Sequence, residues 1–267
     1  MRFENTNTYN FEGSLHGMRN PMNSWDRSDS FFGIVDLYDG NAMNDMAEKW
    51  GDEENSYQWL KTNGVLRASD SYDGLFEVAF IGPADMKLAQ SLILAGAEHA
   101  KFLRQIFVSV DITAPLYWWK EFDTYKVGTV ANSTSTMHKL SAEPITKEMF
   151  DFIENGDDLI VTQGKSICGE WEYVFSDYVD DIVDMCENLR LKFKETGDAA
   201  YWKALIQILP NAYLQTRTVT MSYANLRNIY IQRQHHKLTE WHDFCDWVQT
   251  LPYSKELITL GGNNETH

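Results

Sequence analysis

Positive charge is scarce in this chain. Its 23 lysines and arginines stand against 39 aspartates and glutamates, a formal net charge of -16 over 267 residues. Polynucleotide partners are thereby excluded, because phosphate-backbone contacts are supplied by clustered Lys and Arg. A small anionic ligand is not, since a few inward-pointing arginines outweigh a distant field at short range. Cysteine is also sparse. Cys168, Cys186 and Cys245 are odd in number and lack paired spacing, which excludes a disulfide framework and a zinc site and leaves reduced core or surface thiols. His-x-x-x-His spacing is absent, and the adjacent His235 and His236 would point apart on a helix. A metal enzyme built on His138, His235, His236, His242 and Asp243 is therefore disfavoured, and no metal is expected. No segment approaches the roughly 20 uninterrupted apolar residues of a membrane helix. The opening MRFENTNTYNFEGSLHG has no apolar run behind a basic start, so a cytoplasmic protein is expected. Internal repeats and low-complexity linkers are missing as well.

What is present suffices for a substantial core: 43% of residues are hydrophobic and 13% aromatic. Residues 1–30 read as polar and irregular. FFGIVDLYD suggests a strand or a helix start, NAMNDMAEKW a helix opened by an Asn cap, and GDEENSYQWLKTNG a helix ending on Gly. LFEVAFIGP reads as a strand closed by Gly-Pro, and ADMKLAQSLILAGAEHAKFLRQIF as helical with a division at Gly96. IFVSVDIT alternates like a strand. TKEMFDFIENG is expected as a short helix with a Thr cap, and DDIVDMCENLRLKFKETG as a longer one with acids early and bases late. DAAYWKALIQILP, a segment from about Tyr213 to Gln234, and TEWHDFCDWVQTL complete the expected helices. The sum is one mixed domain, with strands mainly in the first half and helices mainly in the second.

Two stretches carry chemistry. In APLYWWKEFDTYKVGTVANSTSTMHKL, a helix over 115–126 places Trp118, Phe122 and Tyr125 on one apolar face, with Lys120, Asp123 and Lys126 elsewhere. Thr129, Ser133, Thr134, Ser135 and Thr136 cannot form a core; they read either as an anion cradle or as an ordinary polar loop. In LPNAYLQTRTVTMSYANLRNIYIQR, a helix would align Met221, Asn225, Asn228 and Gln232, a stripe of amides suited to reading a ring if buried. Arg217, Arg227 and Arg233 supply the densest positive charge and form a candidate phosphate clamp.

At these two places the sequence resembles the flavin-dependent thymidylate synthases, which methylate the uracil ring of dUMP with FAD and a methylenefolate donor. Ala114 to Leu140 lies on the family's Ala-Pro, helix and Ser-containing loop without a gap. Leu209 and Pro210, then Thr220, Leu226, Asn228 and Arg233, fall where the family has its Leu-Pro and its cofactor helix. EHAKF at 98–102 looks like the family's Glu-His. The departures are specific. Thr124, Tyr125 and Lys126 replace the flavin-gripping Arg-His-Arg; Thr134, Thr136 and Met137 replace the loop Ser and the Arg-Tyr; Ser222 and Ala224 replace an Asn and an Arg. YWWKEFDTYKVGT is also similar to bacterial and phage proteins distantly related to this family.

The resemblance implies an α/β (α+β) fold with a central, mainly antiparallel sheet, flanking helices, a helix-rich second half and a homotetramer. It implies an N-terminal extension over 1–70, a nucleotide-binding domain over 71–258 and a flexible tail over 259–267. By resemblance, Glu121, Tyr125 and Thr134 are the candidate catalytic residues, and Lys126, Thr129, Ser133, Thr136 and Arg233 bind substrate. His99, Thr124, Ser222, Asn225 and Asn228 are the cofactor-side candidates, with FAD and a folate one-carbon donor as the implied cofactors. The implied function is one-carbon transfer to C5 of a dUMP-like nucleotide with altered or absent flavin dependence. The alternative is a non-catalytic nucleotide binder, a sensor or sequestering protein.

Overall fold

The computed structural model describes residues 1–36, 65–68 and 75–261. The helices expected over NAMNDMAEKW and GDEENSYQWLKTNG, and most of the expected tail, lie outside the described residues. Nine strands are described: β1 (Arg2–Tyr9), β2 (Phe31–Asp36), β3 (Val65–Ala68), β4 (Leu75–Phe80), β5 (Phe107–Pro115), β6 (Val130–Ser133), β7 (Ile160–Ser166), β8 (Gly169–Val174) and β9 (Leu214–Ser222). Nine α-helices accompany them: α1 (Phe11–Arg19), α2 (Pro83–Leu94), α3 (Leu116–Phe122), α4 (Thr136–Ala142), α5 (Phe175–Thr196), α6 (Ala199–Ile208), α7 (Tyr223–Arg233), α8 (Thr239–Gln249) and α9 (Ser254–Leu257). The strands form three sheets, ordered β1-β5-β9-β6, β2-β4-β3 and β7-β8, the last two antiparallel. This is the expected mixed architecture of antiparallel sheets and helices.

The chain divides into two compact units. Residues 1–5, 110–126 and 130–219 form one, residues 6–109, 127–129 and 220–267 the other, so three of the five boundaries fall inside β1, β5 and β9. In the first unit, Val110, Ile112 and Ala114 of β5 are wholly buried, the period-2 pattern of a strand with one face on a core. Pro115 ends the strand. The first two N–H groups of α3, orphans at any helix start, donate to Tyr213 O and Asn211 O at 3.1 Å each. The helix then stops at Phe122, short of the expected 126, because the Thr124 amide and hydroxyl both bond Glu121 O and close a turn. Trp118 and Phe122 are buried and stacked at 5.0 Å, while Tyr125 falls outside their stripe.

The expected hydroxyl loop is instead the exposed edge strand β6 followed by α4, with Ser135 as the helix cap accepting from His138 N. TKEMFDFIENG yields only a single tight turn, Lys147–Met149. Beyond it Phe150 bridges Tyr213, and Asp151 N donates to Ala212 O at 2.8 Å, drawing the backbone out. Helix α5 buries Val179, Val183, Cys186 and Arg190 at alternating spacings of four and three and packs with α6 around Leu140, Ile145, Phe150, Leu205 and Tyr213. Gly197, at φ 69°, terminates it. The β7–β8 hairpin was not foreseen in the sequence. Its Gly164 lies beneath Trp171, whose ring would stand 2.8 Å from an added Cβ.

The expected long helix from Tyr213 to Gln234 is two elements. LQTRTVTMS is rich in β-branched residues, and its buried Val219 and Met221 alternate, so it extends as β9. Ser222 then accepts from Asn225 N and starts α7. In the second unit, the supposedly irregular N-terminus holds α1, whose Phe11, Ser14, Leu15, Met18 and Arg19 are buried at helical spacing. Helix α2 is capped from outside: Asp29 accepts from Ala84 N at 2.8 Å and Asp85 N at 3.0 Å. An added Cβ at Gly82 would stand 2.3 Å from Asp29, so a side chain there would displace this cap.

Candidate functional site

Four elements of the first unit converge on Arg217. Period 2 puts Gln215 and Arg217 of β9 on the same side as the buried Val219. The Arg217 guanidinium lies 4.2 Å from the centre of the Trp119 ring, and Trp119 Nε1 donates to Gln215 O at 2.9 Å. Trp119 is itself fixed edge-on against Trp118 at 4.9 Å and Phe122 at 5.4 Å. Arg217 Nη1 pairs with Asp123 Oδ1 at 2.7 Å, and Nε donates to Gln215 Oε1 at 3.0 Å. Gln215 Nε2 reaches onward to Thr134 O at 3.2 Å and Thr136 Oγ1 at 3.3 Å, and Thr134 N donates to Thr216 O. Arg217 is 15% exposed and Asp123 52%, so the cation is held at the edge of the core while its partner faces water. Among the described residues Nη2 makes no hydrogen bond.

On the other side of the strands, Thr113 and Thr216 share a hydrogen bond of 2.8 Å, and Asp111 accepts from Asn5 at 2.7 Å and from Thr218. The Thr218 and Asn5 hydrogen bonds hold the Asp111 carboxyl below its usual range.

Of the sequence candidates in this unit, Thr134 and Thr136 join the Gln215–Arg217 network, and Ser133 immediately precedes them on β6. Glu121, Thr124, Tyr125 and Lys126 follow one another at and beyond the end of α3. The Thr124 hydroxyl is committed to Glu121 O at 2.7 Å. Lys120 donates to Asn211 Oδ1 at 2.8 Å. Gln215, Asp123 and Trp119 were missed as site residues, and Arg217 was read on a helix. The alternation of Gln215 and Arg217 with threonines was the signal that could have found them.

The second unit holds the remaining candidates. Asn225 is used at both ends, donating to Val127 O at 2.6 Å and accepting from Ser222, and Gly128, at φ 76°, passes close to its Oδ1. Asn228 is exposed and accepts from the exposed Gln232 at 2.9 Å, so this end of the amide stripe is solvated; Met221, on β9, is not part of it. Arg233 lies over Trp241 at 4.5 Å. Arg227 leaves the expected clamp, because its Nη1 donates to Ile258 O and Leu260 O at 2.6 Å each. The Thr129 hydroxyl is buried with no hydrogen-bond partner among the described residues. His99 is exposed on the turn after α2. Among the described residues no group of His, Cys, Asp and Glu could hold a metal ion, and no helix is long and apolar enough to cross a membrane.

No family model matches the chain, and no curated protein matches it. Solved structures do match. Thymidylate synthase X (ThyX) from Helicobacter pylori, with FAD and dUMP, is similar over 88% of this chain and 100% of its own, with 15% identity and a TM-score of 0.50. The chain has the ThyX fold. At that identity the likeness shows the fold alone. A UMP/dUMP methylase, PolB from Streptomyces cacaoi, bound with 5-Br UMP, is similar over 69% of this chain and 86% of its own, with 12% identity and a TM-score of 0.48.

Proposed function

We propose that the chain binds a pyrimidine nucleotide of the dUMP type, with Arg217 as a phosphate anchor, and transfers a one-carbon unit to C5 of its base. The observation that carries the reading is Arg217 itself: a cation ordered by Trp119, Asp123 and Gln215, with Nη2 open and the Thr134–Thr136 segment beside it. A guanidinium fixed before the ligand arrives loses little freedom on binding a phosphate. The ThyX structure of the same fold is a complex with dUMP, which supports the substrate class. In this reading Lys126, Ser133 and Thr136 assist at the phosphate or sugar, and Glu121, Tyr125 and Thr134 move protons. Thr129, Asn228 and Arg233 belong to the second unit and are assigned no contact with the ligand at Arg217, and the nucleotide-binding segment is 71–258. A homotetramer and a folate-type donor belong to the same proposal.

Thr124 and Asn225, two of the cofactor-side candidates, fit a flavin pyrophosphate poorly. Thr124 spends its hydroxyl on Glu121 O, and Asn225 spends both ends of its amide on Ser222 and Val127. The pyrophosphate needs several donors or cations, and these positions supply no cation and at most the second N–H of Asn225. His99 is exposed, and the Ser222 hydroxyl is engaged with Asn225. The same misfit favours the second reading, a nucleotide binder without chemistry.

Calorimetric titration with dUMP tests the proposal. Saturable binding is expected, weakened at least tenfold in Arg217→Ala, since a charge-assisted hydrogen bond contributes about 1.5–3 kcal/mol. Absence of binding, or an unaffected Arg217→Ala, would overturn it. Release of tritium from dUMP labelled at C5, in the presence of a methylenefolate donor, separates the two readings: release marks the enzyme, binding without release the sensor.

A further inference from the structure

A cavity beside α1 is left unused by the nucleotide reading and lies wholly within the second unit. Its larger lobe, about 650 Å³, has the start of α1 as its wall and three register pairs of the β2–β4 ladder as its floor: Phe32 with Ala79, Gly33 with Val78 and Ile34 with Glu77. A second lobe of about 300 Å³ shares Glu12, His16 and Phe32 with the first and extends to Trp25 and Arg19. Both volumes are those of small-molecule sites.

The lining sets the chemistry. Glu12 and His16 are four residues apart on α1 and therefore share a face. The His16 ring stacks on Trp25 at 5.5 Å and 8°, making a flat aromatic wall, with Phe32 common to both lobes. Among the described residues no lysine or arginine lines the larger lobe, while Glu12 and Glu77 both line it. Neither carboxylate has a hydrogen-bond or ion-pair partner among the described residues. Arg19, in the smaller lobe, is neutralised by Asp85 at 2.6 Å. Among the described residues the cavity thus presents flat apolar surface and carboxylates without a partner, a lining that favours a cation over an anion.

We propose that this cavity binds a planar, nitrogen-rich heteroaromatic cation of the amidine type. Its N–H donors bond Glu12, with Glu77 as a second acceptor, and its flat face lies against Phe32 and the His16–Trp25 stack. Paired N–H donors match a carboxylate's two oxygens, and a delocalised cation gains from the aromatic wall.

The test titrates the full chain with 2-aminobenzimidazole by calorimetry, with 2-naphthoate as a flat anion of similar size. Saturable one-to-one binding of the amidine and none of the naphthoate is expected. Glu12→Gln should weaken the amidine at least tenfold, and Trp25→Phe less. Glu12 is exposed and Trp25 is 43% exposed, so both variants should melt with the parent, a check made on each. Arg217→Ala should leave amidine binding unchanged, which separates failure of this proposal from failure of the nucleotide reading. No saturable heat, equal binding of the naphthoate, or an amidine affinity untouched by Glu12→Gln would each overturn it.

Discussion

Asp85→Asn should remove a large part of the chain's stability. Arg19 and Asp85 form an ion pair at 2.6 Å with side chains 6% and 0% exposed. Ser28 and Ser30 donate to the other carboxylate oxygen at 2.6 and 2.5 Å. Asparagine keeps the shape but leaves the Arg19 cation buried without a counter-charge, and losing one partner of a buried pair costs about 3–5 kcal/mol. Against a typical domain stability of about 5–15 kcal/mol, that is enough to move a urea midpoint well down. Burial pushes the Asp85 carboxyl up, but the hydrogen bonds from Ser28, Ser30 and Arg19, with the Arg19 charge, outweigh it and hold the group below the usual range. A depressed folded pKa contributes stability that is complete above the unfolded value, near 3.9, and lost as pH falls through the folded one. The gap between the parent and Asp85→Asn should therefore be full at pH 7 and shrink only in strong acid. Arg19→Met combined with Asp85→Leu should recover at least half of the loss, because removing both charges removes the desolvation cost as well. Urea unfolding followed by circular dichroism reads all of this. A loss under about 1 kcal/mol for Asp85→Asn, or a double variant as weak as the single, would refute the reasoning.

Gly197→Ala should cost about 1 kcal/mol in the same assay, since Gly197 closes α5 at φ 69° with its N–H on Phe193 O and alanine is strained there; a neutral result would place the helix end elsewhere. Ellman's reagent should titrate one thiol rapidly in the folded chain, Cys168, which is exposed. Burial pushes the Cys186 and Cys245 thiols up to about 11 and about 12, so they should react only on unfolding, and three fast thiols would contradict the packing.

Much of the helical framework was legible because its signals are local. Helix α5 declares itself by Val179, Val183 and Cys186 at one face and Gly197 at its end, and α6 by Asp198, whose side chain accepts from Ala200 N at 2.8 Å. β5 was readable from alternation alone. β9 was not, because no glycine or proline separates it from α7 and the amides at 225, 228 and 232 extend a helical period backwards to Met221. The β-branched Thr216, Thr218, Val219 and Thr220 were the opposing signal, and the sheet decided in their favour. The residues around Arg217 were hidden for another reason. Asp123 and Arg217 are 94 positions apart and meet only once β9 lies beside the end of α3.

That hidden pairing also bears on why an arginine belongs in a strand at all. Val219 and Met221 of β9 are wholly buried, and Arg217 continues their row outward to the edge of the core. A one-residue slip in the register would turn Arg217 to the opposite face and bring Thr216 or Thr218 over Trp119, so the buried valine and methionine that fix the strand also fix the cation. Near the core the effective dielectric is lower than in water and the guanidinium's attraction for an anion is stronger. The exposed Asp123 offsets that charge only partly, because its own side chain is solvated and screened. If the proposed nucleotide binding holds, a chain of net charge -16 has reason to place its cation on a strand anchored in the core rather than on a flexible loop.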